Sequence, residues 1–397
     1  MSIDPESPGP PSSASRRWFG ARLRLGSRLA DLLALALALG SVLAVAEMAV
    51  RPFYVPPPRR PAPQVRAAFS PNLGWALVPD PAAYSLNERA PISRHGLRGP
   101  EFTDDPEADS TAVRWLLLGG GSTFGVGVAY EDTFGSLAAA AVSADGADSV
   151  RVINAGCEGY DLNQCLRFLR TEGRFHHPDA IIVTFEPADL PGTGERDTLY
   201  TPARFAAVAT RLNRAPDGRP GLAGALLRDS RLAGFLATRI GAFLQLGRRA
   251  ESAAGVGPGR RGGIRLIDIL NGRDVPVIES AWSTVAAEFG ALRETARSLG
   301  AAVYVIVLPL APQLSRNYPR ARYQDRLAEI CRRNDFVLID PLPEMKEARR
   351  SLDRLYLPRL PFLNAAGHRI VARKLETPLA DPELLRRNWR LPSQGGE

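Results

Sequence analysis

Hydrophobic residues change their spacing several times along the chain. Five short apolar runs, at residues 113–118, 151–154, 180–185, 302–308 and 336–339, have the length of strands. Their apolar residues are continuous rather than alternating, which suits parallel strands covered on both faces. Between the runs the period lengthens to that of a helix. Trp282, Val285, Ala286, Phe289, Leu292, Ala296 and Leu299 share one stripe, and Gly300 ends it just before the next run. Further helices are predicted at residues 162–172, 323–334 and 364–375. This alternation predicts a doubly wound, flavodoxin-like α/β fold: a parallel five-stranded sheet flanked by helices and joined by right-handed crossovers.

A different pattern opens the chain. Residues 1–28 form a basic tail in which Arg16, Arg17, Arg22, Arg24 and Arg28 precede an uncharged Ala/Leu run from Leu32 to Ala46. As helix that run spans about 23 Å, and residues 29–50 about 33 Å, against a hydrocarbon core of roughly 30 Å. Residues 29–50 are therefore predicted to form one transmembrane signal anchor or signal helix. Ala44-Val45-Ala46 offers a cleavage site, and Ser15-Arg16-Arg17-Trp18-Phe19 looks like a twin-arginine signal, so a secreted protein is the alternative. Arg51, Arg59, Arg60 and Arg66 follow the run, leaving a slight charge bias for a globule on the periplasmic or extracellular side. Six prolines within residues 52–63 make residues 51–69 an extended spacer. A lead-in at 70–110 follows, then a domain at 111–380 with an insertion at 191–280, and a tail at 381–397.

Composition narrows the possible functions. A chain of 397 residues that is 45% hydrophobic is not disordered throughout, and a single long apolar run excludes a polytopic membrane protein. The net charge of +8 suggests nucleic acid until it is placed: residues 1–66 hold nine Arg against four acids, so the remainder is nearly balanced and no nucleic-acid partner is expected. Cys157, Cys165 and Cys331 have no metal-ligand spacing, and only four histidines occur, so neither metal nor cofactor is expected.

In such a sheet, ligands meet the loops beyond the carboxyl ends of the strands. Those loops read Gly119-Gly120-Gly121-Ser122-Thr123-Phe124-Gly125, Asn154-Ala155-Gly156-Cys157 and Glu186-Pro187-Ala188-Asp189, and the last helix opens Leu363-Asn364-Ala365-Ala366-Gly367-His368. With Asn72-Leu73-Gly74-Trp75 and Gly96-Leu97-Arg98-Gly99-Pro100-Glu101, they resemble the SGNH/GDSL hydrolase superfamily, in its membrane-anchored bacterial branch, whose relatives act on cell-envelope or exopolysaccharide esters. The resemblance covers most of the chain. It implies a Ser nucleophile after the first strand, a His base oriented by an Asp three residues earlier, and an oxyanion hole made by a Gly amide and an Asn side chain.

Carried over position by position, the resemblance places the nucleophile at Gly121, the oxyanion glycine at Gly156, the Asn at Ala188, the acid at Arg359 and the base at Phe362. Only Gly156 keeps the family's residue. Ser122, one residue late, is the fallback nucleophile, with His368, His95, His176 or His177 as a relocated base; otherwise His368 is expected to cap or pack. A third reading makes Glu186 and Asp189 a carboxylate pair for glycoside or metal chemistry. Because catalytic groups act as a unit, four replacements predict the loss of ordinary ester hydrolysis. The expected role is a binding or assembly component for a cell-envelope or exopolysaccharide glycan or for a partner enzyme, with Phe362 as a sugar-stacking face or a core filler. The alternative is an active carbohydrate esterase or O-acyltransferase using Ser122.

Overall fold

The apolar runs become strands because they can be covered on both sides. The computed structural model describes residues 13–53, 61–103, 105, 112–145, 149–190, 202, 205–206, 209, 213, 230–233, 235–236, 268–269, 275–314, 322–350, 354–358 and 360–380. The chain divides into two compact units, Met1–Arg59 with Gly218–Pro258, and Arg60–Asp217 with Gly259–Glu397. The tail at 381–397 and most of the insertion lie outside the described residues.

The first unit contains helix α1 (Ser13–Val50). It is helical through most of the stretch read from sequence as a basic tail. Its segment Ala30–Val50 is long and apolar enough to cross a bilayer, as a signal anchor or signal peptide would be.

The second unit begins with two hairpins, β1 (Ala67–Ser70) with β2 (Gly74–Leu77), and β3 (Tyr84–Ser85) with β4 (Glu88–Arg89). Strand β1 starts inside the stretch assigned to the spacer, because Ala67 is buried and pairs with Leu77. There follow β5 (Ala112–Leu118), α2 (Gly121–Phe124), α3 (Phe134–Asp145), β6 (Ser149–Asn154), α4 (Leu162–Thr171) and β7 (Ala180–Phe185). After the insertion come α5 (Pro276–Leu299), β8 (Ala302–Val307), α6 (Arg322–Arg333), β9 (Val337–Ile339), α7 (Leu342–Arg350) and α8 (Ala365–Ala380). Helix α5 begins within the span assigned to the insertion, with extended Val275 ahead of Pro276, the arrangement a proline at a helix start favours.

The sheet is parallel throughout, in the order β6-β5-β7-β8-β9, which is the predicted flavodoxin-like topology. Leu116, Leu118, Ile181, Val183, Val303 and Val305 pack under α4, α5 and α6, while Trp115, Leu117, Ile182, Tyr304 and Ile306 pack under α3, α7 and α8. Both faces are therefore dry, and the working loops collect at the carboxyl ends.

His368 belongs to this core. From α8 it stacks on Phe134 with ring centroids 5.5 Å apart, and its Nδ1 accepts the Phe134 amide at 3.1 Å, capping the start of α3. Burial, helped by the nearby Arg98 charge, holds its pKa down to about 3, so the ring is neutral in the folded protein. The unfolded chain takes up a proton near pH 6.5 that the folded chain refuses until about pH 3, so stability falls as pH drops through that window. Between pH 7 and pH 5 this residue is expected to remove about 2 kcal/mol of stability. Denaturant melts at both pH values should show that loss, and His368→Gln should abolish it.

Candidate active site

Strand β5 runs directly into the glycine-rich loop, whose residues Gly121–Phe124 coil as α2 and stop at Gly125, which has φ 79°. This turn is held from several sides. Asn154, the last residue of β6, donates from Nδ2 to the Thr123 carbonyl at 2.8 Å and accepts the Gly156 amide at Oδ1, 2.9 Å away. Gly156 lies flush against the turn: a methyl group on it would stand 2.7 Å from the Thr123 carbonyl carbon and 2.8 Å from its Cβ.

Arg98 holds the other side. Only 2% exposed, it donates to the carbonyls of Val128 (2.9 Å), Phe124 (3.3 Å) and Arg89 (3.1 Å), and its guanidinium lies 5.2 Å from the Phe124 ring centroid. Burial lowers its pKa to about 10, which leaves it cationic at neutral pH and its hydrogen bonds charge-assisted. The sequence displayed Arg98 within a motif but gave no sign of this role, because its partners are main-chain carbonyls that no residue pattern reveals.

Gly121 faces Phe362. A methyl group at Gly121 would stand 2.7 Å from Cζ and 2.8 Å from Cδ1 of that ring, and closer still to Cε1, so a side chain at 121 requires the ring to move. Phe362 is tied to its own segment by the Leu357 amide, which donates to its carbonyl at 2.9 Å. Its ring joins an apolar cluster with Ala83, Ala90, Ile92, Phe124, Val126 and Leu357. Phe362 is half-buried and packs against this cluster from its edge, beside α2.

Ser122 is next in sequence but turns elsewhere. Its side chain is 1% exposed and interacts with the carboxylate of Glu186 at the end of β7. Glu186 Oε1 is sealed from solvent with no hydrogen-bond partner. Desolvation raises the pKa of Glu186, and the interaction with Ser122 partly offsets this. The hydroxyls of Tyr323 and Tyr356 donate to the carbonyls of Leu308 and Pro309, and burial pushes both phenols above their ordinary range. Asp189 accepts the Glu186 amide at 2.7 Å and so shapes the turn that carries both acids. Among the described residues no group of three His, Cys, Asp or Glu is placed to hold a metal ion.

The predicted positions therefore do not all come together. Gly121, Ser122, Gly156 and Phe362 come together around α2. Ala188 lies in the short turn Pro187–Asp189 after β7 and, as an alanine, offers no side-chain donor. Arg359 lies outside the described residues. The histidines are elsewhere. His368 caps α3, and His176 and His177 precede β7, roughly 20 Å from the loop end of the sheet at the usual rise of a strand. The His95 ring sits 5.8 Å from that of His176.

Ester cleavage needs a nucleophile beside a base, and room for the carbonyl between them. Here the hydroxyl is buried beside a carboxylate rather than an imidazole, and the candidate oxyanion amide of Gly156 is already bonded to Asn154. A cavity beside the turn, bounded by Gln64, Ala67, Leu77, Tyr84, Phe124 and Glu158, measures only about 30 Å³.

No protein-family model matches the chain, and no curated protein matches it. Similar solved structures include a lipase/acylhydrolase from Enterococcus faecalis (13% identity, TM-score 0.36, covering 68% of this chain and 95% of that one). TesA is similar at 12% identity and TM-score 0.38, over 68% of this chain and 98% of its own. Axe2, an acetylxylan esterase from Geobacillus stearothermophilus, is similar at 13% identity and TM-score 0.36, over 66% and 91% respectively.

The contact between Gly121 and Phe362 predicts a measurable coupling. Gly121→Ala is expected to destabilise the chain by about 1–3 kcal/mol through overpacking. In a Phe362→Ala background that penalty should largely vanish, and equilibrium unfolding of the four chains of this double-mutant cycle measures the difference.

Proposed function

We propose that this chain is a membrane-tethered, SGNH-hydrolase-like protein that does not hydrolyse esters. It serves as a binding or assembly component for a cell-envelope or exopolysaccharide glycan or for a partner enzyme, with its globule on the periplasmic or extracellular side. The observation that carries this reading is the packing of Phe362 on Gly121. On the family's pattern those are the places of base and nucleophile, and their direct contact supports the alignment that made them so. It also supports loss of the chemistry, because the space between such groups is where an acyl carbon would have to sit.

Magnitudes favour inactivity. Removing one oxyanion donor costs about 10²–10³ in rate. Losing the nucleophile or base leaves only the residual acceleration from binding and electrostatics, about 10³–10⁴ over water. A filled cleft favours an assembly role on the outer surface over capture of a sugar between the strand ends. The alternative esterase or O-acyltransferase draws on the interaction of Ser122 with Glu186, since a carboxylate can accept a proton. It requires Phe362 to leave and Ser122 to become exposed.

The test is hydrolysis of p-nitrophenyl acetate and of acetylated oligosaccharides by the purified full-length chain beside Ser122→Ala. Both proteins are expected to match the buffer rate. Turnover by the unaltered chain that disappears in Ser122→Ala would contradict the proposal and establish the alternative.

A further inference from the structure

Glu47 stands out on an apolar helix. It lies three residues inside the end of Ala30–Val50, about 4.5 Å of rise from Val50, where a bare carboxylate is disfavoured if lipid surrounds the helix. The insertion supplies its partners. The Ser230 hydroxyl and the Leu232 amide donate to Oε2 at 2.7 and 3.0 Å, and the Arg231 amide donates to Oε1 at 2.8 Å. In return the Arg231 guanidinium donates to the carbonyl of Arg51 at 3.0 Å, where a helix end leaves such groups without partners of its own. From Ala30 to Val50 every residue is exposed except Ala46, Glu47 and Val50, so the insertion meets one face of the last turn.

Depth follows from these bonds. If residues 30–50 cross the bilayer, as the proposed function has it, groups bonded to Glu47 share its level, at the boundary between acyl chains and headgroups. Leu236, four residues beyond Leu232, is 47% exposed, and Phe53, three residues past the helix, is 84% exposed. A leucine exposed to that degree at this level, beside an arginine already anchored at the helix end, suits a lipid surface. We infer that this part of the insertion returns to the membrane and that residues 230–233 and 235–236 form a second, lipid-facing contact beside the anchor, locked there by the reciprocal bonds of Glu47 and Arg231. The inference rests on the anchor reading. It adds that the loop between β7 and α5 is fastened to the bilayer rather than left in solution.

The experiment uses the full-length chain in phosphatidylethanolamine/phosphatidylglycerol vesicles with one environment-sensitive fluorophore on an introduced cysteine, since Cys157, Cys165 and Cys331 are buried. Labels at Leu236→Cys, at Val42→Cys within the span, and at Val277→Cys on α5 are compared. The quenchers are doxyl-labelled lipid and aqueous iodide. The label at 236 is expected to be quenched by doxyl lipid and to show several-fold weaker iodide quenching than the label at 277. Glu47→Ala should restore iodide access at 236. Iodide quenching at 236 equal to that at 277, with 42 still quenched by doxyl lipid, overturns this inference alone; loss of doxyl quenching at 42 overturns the anchor reading. Shielding of 236 from both quenchers assigns the face to a second copy of the chain and also overturns the inference. So does an unchanged 236 signal in Glu47→Ala.

Discussion

Phe362 and Gly121 fit each other only because one is large and the other has no side chain. The ring lies where any substituent at 121 would have to stand, and it rests on the turn that closes the end of β5. Much of the site's architecture follows from that contact. The lead-in hairpins contribute Ala83, Ala90 and Ile92 to the cluster around the ring, and Arg98 fastens the turn through its carbonyls. An apolar contact of this kind stabilises in proportion to the surface it keeps dry.

Two of the polar groups nearby are committed to structural bonds. The Gly156 amide is bonded to Asn154, and His368 Nδ1 to the amide that starts α3. Each bond satisfies a buried donor or acceptor whose isolation would cost stability. These bonds help to keep the loops of the fold's working edge in shape.

Strands were legible because hydrophobic continuity and burial are the same physical fact: the run at 180–185 coincides with Ala180–Phe185, and the other four match within two residues at either end. The stripe ending at Leu299 likewise marks α5. Helix α3 carries Ala138, Ala139, Ala140 and Ala141 in a row, which blurs any stripe, and the sequence reading left it out. The two-residue strands β3 and β4 are too short for alternation to register. Of the site, motif spacing singled out Gly121 and Phe362, and the two are in contact. What the spacing could not reveal is the carboxylate beside Ser122: Glu186 lies 64 residues on, and only the parallel pairing of β5 with β7 brings the two together.

The central claim is that no hydroxyl at the end of β5 is activated for attack on an acyl or phosphoryl centre. A fluorophosphonate probe reads this directly, because it forms a stable adduct only with an activated nucleophile. Treatment of the full-length chain followed by peptide mass mapping should leave the peptide containing Ser122 unmodified at probe concentrations that saturate an active serine esterase. A stoichiometric phosphonyl adduct on Ser122 would contradict the account.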